Sequence, residues 1–137
     1  MENKDLLTAA KLFLVAFGPE GLGEEWTIAS SRKNIEDFFN SNFCFAVKER
    51  DELVGVIMGQ AQYFEKGAEL FIGPFVVRKE QRGKGLGRLL FARVEKEARK
   101  KGLVGVRLMA NQKLPSFAWY GKMGIKPSGW EEMHKLF

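Results

Sequence analysis

Cations and glycines alternate in one short stretch of this chain: Arg82, Gly83, Lys84, Gly85, Leu86, Gly87 and Arg88. Glycine admits positive φ and lets a ligand lie directly on the peptide groups. An apolar run, Phe75-Val76-Val77, precedes the stretch, and RLLFARVEKEARKKG (88–102) continues it. The turn therefore opens a helix, whose first amides and partial positive charge suit a phosphate or pyrophosphate. Arg82, Lys84 and Arg88 add formal positive charge at the same place. The stretch is expected to hold an anion.

Spacing excludes two familiar phosphate loops. A P-loop needs glycine, four residues, then Gly-Lys-Ser/Thr, but Arg78 stands five before Gly83 and Gly85 follows Lys84. A dinucleotide fingerprint needs G-x-G-x-x-G, and Arg88 and Leu90 occupy the positions where its last glycine belongs. What remains is Arg82-x-x-Gly85-x-Gly87 between a strand and a helix.

Charge is concentrated around the same turn. The 137 residues carry a net +5. Between Arg78 and Lys101 ten Lys or Arg face three acids, so the remainder of the chain is slightly acidic. A nucleic-acid binder spreads its basic residues over a face and interleaves them with aromatics. Here the aromatics fall in apolar patterns instead. Arg99, Lys100 and Lys101 suit the C-terminal turn of a helix, where cations favour the dipole. At 45% hydrophobic and 28% charged residues, neither disorder nor a membrane class is expected. No apolar run approaches a membrane span, and the acidic, mixed first residues do not resemble a signal peptide. The lone Cys44 forms no internal disulfide and reads as a small buried apolar residue, which suits a cytoplasmic protein.

The elements that position the turn follow from periodicity. Leu6, Ala9, Ala10, Phe13 and Phe17 predict a helix from Asp5 to Phe17, stopped by Gly18-Pro19. Residues 21–31 read as a loop, with Ser31 capping a second helix that runs to Phe39. FCFAVK (43–48) and LVGVIMGQAQYF (53–64) read as strands joined by a turn over Glu49 to Glu52. AELFIGPFVV (68–77) is a third strand, interrupted by Gly73-Pro74; both residues favour a bulge or an edge. Leu86, Leu90, Val94 and Ala98 define the main helix, ended by Gly102. VGVRLMA (104–110) is the next strand, Ser116 to Met123 a short helix, and IKP…WEEMHKLF (125–137) a final hairpin. These elements predict one α/β domain over 1–137. Its mixed sheet is parallel only where the long helix crosses over.

The pattern Arg82-x-x-Gly85-x-Gly87, between that strand and that helix, resembles the acetyl-CoA pyrophosphate loop of the GNAT acyltransferase superfamily. Downstream, Ser116-Phe-Ala-Trp119-Tyr120-Gly-Lys-Met-Gly124-Ile125 resembles the family's Ala-x-x-Phe-Tyr-x-x-x-Gly-Phe segment. The resemblance covers roughly Ala68 to Phe137. It implies a mostly antiparallel sheet with a splayed strand pair, flanked by about four helices. It implies that Phe75, Val76 and Val77 offer backbone hydrogen bonds to the pantetheine arm, and that residues 82–88 hold the pyrophosphate. Asn111 and Ser116 would lie near the arm, although Lys113 occupies the asparagine's usual place. Tyr120 would protonate the departing thiolate. Glu69 stands where some members keep a catalytic glutamate, and Glu24, Glu25 and Trp26 lie in a loop that helps build the acceptor pocket.

The activity implied is direct transfer of acetyl from acetyl-CoA to a small-molecule or peptide amine within a ternary complex. A protonated amine has no free lone pair, so a side chain or a water chain must first take its proton. A strand N–H would hold the oxyanion. With His134 the only histidine and Cys44 the only cysteine, no metal is expected. No nucleic acid or membrane partner is expected, and the final hairpin suits a monomer or a homodimer equally. Two other readings stay open: a catalytically silent acyl-CoA-binding or sensing module of the same fold, and a basic nucleic-acid-binding domain.

Overall fold

The computed structural model describes all 137 residues. Helices α1 (Leu6–Phe17) and α2 (Ile28–Phe38) precede three long strands, β1 (Cys44–Glu49), β2 (Glu52–Phe64) and β3 (Gly67–Val77). Helix α3 (Leu86–Lys100) then crosses to β4 (Gly105–Arg107), and α4 (Pro115–Lys122) follows. Strands β1, β2 and β3 pair antiparallel in sequence order, and β4 joins β3 in parallel. The expected mixed, mostly antiparallel sheet with four flanking helices is what forms.

Two cores lie on opposite faces of the sheet. On one, Ala9, Ala10 and Phe13 of α1 and Ile35 of α2 pack on Val56, Met58 and Val76. On the other, Leu90, Phe91, Val94 and Ala98 of α3 pack on Ile57, Leu70 and Ile72. Both core-facing sets repeat at the helical spacing that removes one apolar stripe from water. Cys44 belongs to the first core. Its thiol donates to the Phe38 carbonyl at 3.1 Å, and burial pushes the thiol pKa up, so it stays protonated and inert.

A bulge in β3 decides where the site falls. Ile57 pairs with Phe75 and Gly59 with Ile72, so Gly73 and Pro74 together oppose Met58. A side chain on Gly73 would drive into the Phe38 ring, its Cβ only 2.4 Å from ring atoms. The extra residue reverses the alternation: Leu70 and Ile72 face α3 before it, Phe75 and Val77 face α3 after it. On the other edge of β3, pairing with β4 covers only Glu69 to Phe71 opposite Gly105 to Arg107. Beyond Phe71 the two strands part.

Three expectations need correction. Thr27 caps α2, exchanging bonds with Ser30, whereas Ser31 is buried inside the helix with its hydroxyl unpartnered. The expected strand over 104–110 shortens to Gly105–Arg107, because β3 turns away at the bulge and leaves it no partner. No final hairpin forms. Pro127 lacks a ladder donor, Gly129 sits at φ +91°, and residues 126–137 are exposed.

Asp5 ties the two ends of the first core together. Its buried carboxylate accepts the Glu2 N–H at 2.8 Å and meets Lys48 Nζ of β1 at 2.8 Å. Burial alone raises its pKa, but the Lys48 ammonium and the Glu2 amide outweigh this and hold it below the ordinary 3.8. The charged form therefore stabilises the fold above that value, and the contribution is lost as pH falls through the lowered pKa. Asp5→Asn is expected to lower the melting temperature by roughly 2–5 °C at neutral pH. Calorimetry should find that difference shrinking below pH 3.8, where the wild-type carboxylate itself protonates.

Candidate functional site

The turn between β3 and α3 is braced by two of its own cations. Arg78 bonds Glu52 at 2.8 Å and the Leu53 carbonyl at 3.2 Å, while its amide donates to the Val54 carbonyl. Arg82 donates from Nε to the Val77 carbonyl at 3.0 Å, and Lys84 Nζ meets Gln81 Oε1 at 3.2 Å. Arg88 projects from the first turn of α3 and has no partner.

Turn bonding ends at Arg82, whose amide reaches the Lys79 carbonyl, and helix bonding begins with Leu89 to Gly85. The six N–H groups from Gly83 to Arg88 therefore have no partner within the chain. Gly83 (φ +80°) and Gly85 (φ +83°) take the left-handed conformation that turns successive amides to one side. No side chain caps the helix start. Free amides at a helix N-terminus, with Lys84 and Arg88 beside them, fit a pyrophosphate. Gly87 lies against the Trp119 ring, where a Cβ would make an ordinary van der Waals contact at 3.4 Å.

The parted segment of β3 continues the site. The bond from the Arg78 amide to the Val54 carbonyl fixes the alternation of the antiparallel ladder. Val76 then bonds back to Val56 of β2, while the backbone groups of Phe75 and Val77 point toward β4. There β4 has already turned away. The Val77 carbonyl meets Arg82, which leaves the Val77 N–H and both Phe75 groups facing the gap. This revises the expectation for Val76: its backbone belongs to the sheet, and its side chain is buried in the first core.

Helix α4 closes the gap with aromatics. The Phe75 ring lies 5.9 Å from Trp119 and 6.4 Å from Tyr120, and Phe91 lies 6.4 Å from Tyr120. These walls desolvate the Tyr120 phenol and push its pKa up to about 12. It keeps its proton throughout the neutral range. Pro115 starts α4, with Ser116 exposed beside it. The turn before the helix is held by Asn111, whose Oδ1 accepts the Lys113 N–H at 2.9 Å. Asn111 is exposed and organises that turn.

Glu69 lies elsewhere. It precedes the parting point, on the sheet face of α2, opposite the face that carries Tyr120. Its carboxylate bonds Arg107 at 2.9 Å, and the Arg107 guanidinium stacks 3.9 Å above the Phe64 ring. Arg107 had no signal in a local motif, since its partner is 38 residues away. In the loop before α2, Glu24 accepts the Trp26 indole N–H at 2.7 Å, and Trp26 packs edge-on against Phe13. That loop is anchored to α1 through the Phe13–Trp26 contact.

Solved structures share this architecture. A possible acetyltransferase from Clostridium difficile 630 matches with TM-score 0.81 and 22% identity, over 100% of this chain and 94% of that one. A predicted acetyltransferase from Clostridium acetobutylicum, solved with acetyl-CoA, matches with TM-score 0.78 and 15% identity, over 98% and 92%. An aminoglycoside acetyltransferase from an uncultured soil metagenomic sample matches with TM-score 0.72 and 21% identity, over 99% and 93%. At these identities the likeness is one of fold. Among curated proteins, none matches the sequence. The family model of the acetyltransferase (GNAT) family matches residues 8–125, from α1 through the close of the Tyr120 segment, and the chain belongs to that family.

Proposed function

We propose that this protein is an acetyl-CoA-dependent N-acetyltransferase that passes acetyl directly to an amine within a ternary complex. The reading rests on the six free amides of residues 83–88, in line with the unpaired backbone of Phe75 and Val77. Residues 83–88, with Lys84 and Arg88, would hold the pyrophosphate, while Arg82 braces the turn through the Val77 carbonyl. Phe75 and Val77 would hold the arm, with Asn111 and Ser116 at its α4 side. When bound, acetyl-CoA supplies an activated thioester.

The residues divide the proton work between two sheet faces. On the α4 face, the Tyr120 hydroxyl holds a proton for the leaving sulfur. An ordinary thiol has a pKa of about 8.5, so complete transfer from a phenol at about 12 is uphill by roughly 5 kcal/mol. Tyr120 therefore acts as a hydrogen-bond donor while charge develops on sulfur. The N–H of Phe75 faces the gap and serves as the oxyanion donor. On the α2 face, Glu69 receives the amine proton through water, its carboxylate oriented by Arg107. The acceptor is a small-molecule or peptide amine.

Purified protein is expected to release free thiol from acetyl-CoA with at least one amine in a panel that includes polyamines, an aminoglycoside and peptide N-termini. No release with any amine, despite CoA binding, would leave an acyl-CoA-binding module. Tyr120→Phe is expected to lower kcat by about a hundredfold with little change in KM for acetyl-CoA. Ultraviolet titration of the same variant should lose the tyrosinate step near pH 12. Retention of full kcat would remove Tyr120 from the chemistry.

The loop has its own test. The double variant Lys84→Glu/Arg88→Glu is expected to weaken CoA binding ten- to hundredfold by calorimetry. Both side chains are exposed, so its melting temperature should stay within about 2 °C of the parent. Unchanged affinity would move the anion site elsewhere.

A further inference from the structure

We propose that Phe38, at the end of α2, selects the acceptor by shape and admits a primary amine on an unbranched carbon. Asn40 is the positioning residue that holds the ring in place. Both roles rest on the acyl-transfer reading. Phe38 is the last residue of α2 and lies directly over the bulge. A Cβ on Gly73 would come 2.4 Å from two atoms of its ring, so ring and backbone meet with no side chain between them. The ring also stacks on Phe71, at 6.5 Å between centroids and 21° between planes. Gly73 stands two residues before Phe75, whose N–H faces the gap. On the α2 face, the approach to the reacting centre therefore runs past an aromatic wall.

That wall is fixed from behind. Asn40 commits its whole side-chain amide to this corner. Its Nδ2 donates to the Phe38 carbonyl at 2.9 Å and to the Gly59 carbonyl of β2 at 2.8 Å. Its Oδ1 accepts the amides of Asn42 and Phe43 at 2.9 and 2.8 Å. A carboxamide offers two donors and two lone pairs, so none is left over. The Cys44 thiol of β1 adds a second bond to the Phe38 carbonyl at 3.1 Å, and Gln60 Nε2 of β2 reaches the Asp37 carbonyl at 3.4 Å. The helix end that carries the ring cannot shift without breaking these bonds. A fully satisfied network of this kind specifies one geometry.

A fixed wall beside a reacting centre discriminates by branching. The nucleophilic nitrogen must come within roughly 3–3.5 Å of the thioester carbonyl carbon. The carbon that bears the nitrogen then lies against whatever lines the approach. On an unbranched acceptor that carbon carries only hydrogens beside its chain. A methyl group there projects sideways, toward a ring that already touches the backbone of the bulge and has no space to give. One methyl is worth roughly 10–200-fold in kcat/KM where a pocket reads it. Phe38 and Phe71 are both half-buried, so each keeps part of its ring open to the acceptor side. Such ring faces pack on methylenes and on an ammonium alike.

Matched amines with free-thiol detection test the proposal on the full chain. The pairs are butane-1,4-diamine against hexane-2,5-diamine, and the peptide Gly-Ala-Ala against Val-Ala-Ala. The parent is expected to favour the unbranched member of each pair by about tenfold or more in kcat/KM. Phe38→Ala should bring that ratio below about threefold, with CoA affinity unchanged by calorimetry. Phe38→Leu, which keeps the apolar packing, should fall between. Asn40→Asp retains the bonds from the Asn42 and Phe43 amides and removes the donors to Phe38 and Gly59. It should relax the preference of the parent about threefold or more, yet leave that of Phe38→Ala unmoved, since it acts through the ring. A parent blind to branching overturns the gate alone, as does a preference that survives both Phe38 variants. An Asn40→Asp chain that loses activity equally on both members of each pair overturns the positioning role. No thiol release with any of the four amines overturns the gate and the acyl-transfer reading together.

Discussion

The site depends on one extra residue in β3. Without the bulge at Gly73-Pro74, strand alternation would point Val76 at α3 and Phe75 at α1. With it, Val76 completes the core under α1, and Phe75 becomes the floor on which Trp119 and Tyr120 rest. The same residue bends β3 away from β4, so the backbone groups of Phe75 and Val77 face a gap instead of a neighbour. Unpaired backbone inside a sheet is costly unless a bend or a ligand accounts for it. The aromatic cluster offsets part of that cost, at about 0.5–1.5 kcal/mol per well-placed pair.

The loop that follows is rigid for a related reason. Of its cations, Arg78 and Arg82 are spent on the protein's own carbonyls and on Glu52, which locks the exit from β3. The ordering entropy of the turn is therefore borne at folding and not when an anion arrives. That leaves Lys84, Arg88 and the helix amides to face the ligand. Local basic charge thus overstates the positive field of the site, because two of the three guanidinium groups at the turn, Arg78 and Arg82, act as braces.

Much of this was legible in the sequence. Glycines and cations at a strand-to-helix boundary have few structural uses, and a proline inside an apolar strand signals a bulge directly. The register of that bulge was less accessible, because it depends on which β2 residue stands opposite. For that reason the sequence reading assigned all of Phe75, Val76 and Val77 to the ligand, whereas the ladder turns Val76 inward. Capping of α2 by Thr27 was missed because Ser31 offers the same chemistry four residues on. The bond between Glu69 and Arg107 joins two strands through parallel pairing, which no local window contains. The length of β4 and the fate of the chain end depend on partners that sequence periodicity does not name.

Placing Tyr120 and Glu69 on opposite faces has a consequence for the proposed chemistry. Acyl transfer to an amine moves a proton off the nucleophile and supplies one, or a hydrogen bond, to the leaving group. One side chain serving both ends would have to reach across the reacting centre. Here the strand between them does the separating: Glu69 and Phe75 are six residues apart on β3, about 20 Å at full extension. Tyr120, walled by Phe75, Phe91 and Trp119, suits a group that must stay protonated. Glu69, mostly buried and oriented by Arg107 at 2.9 Å, suits a group that takes up a proton and passes it on through water.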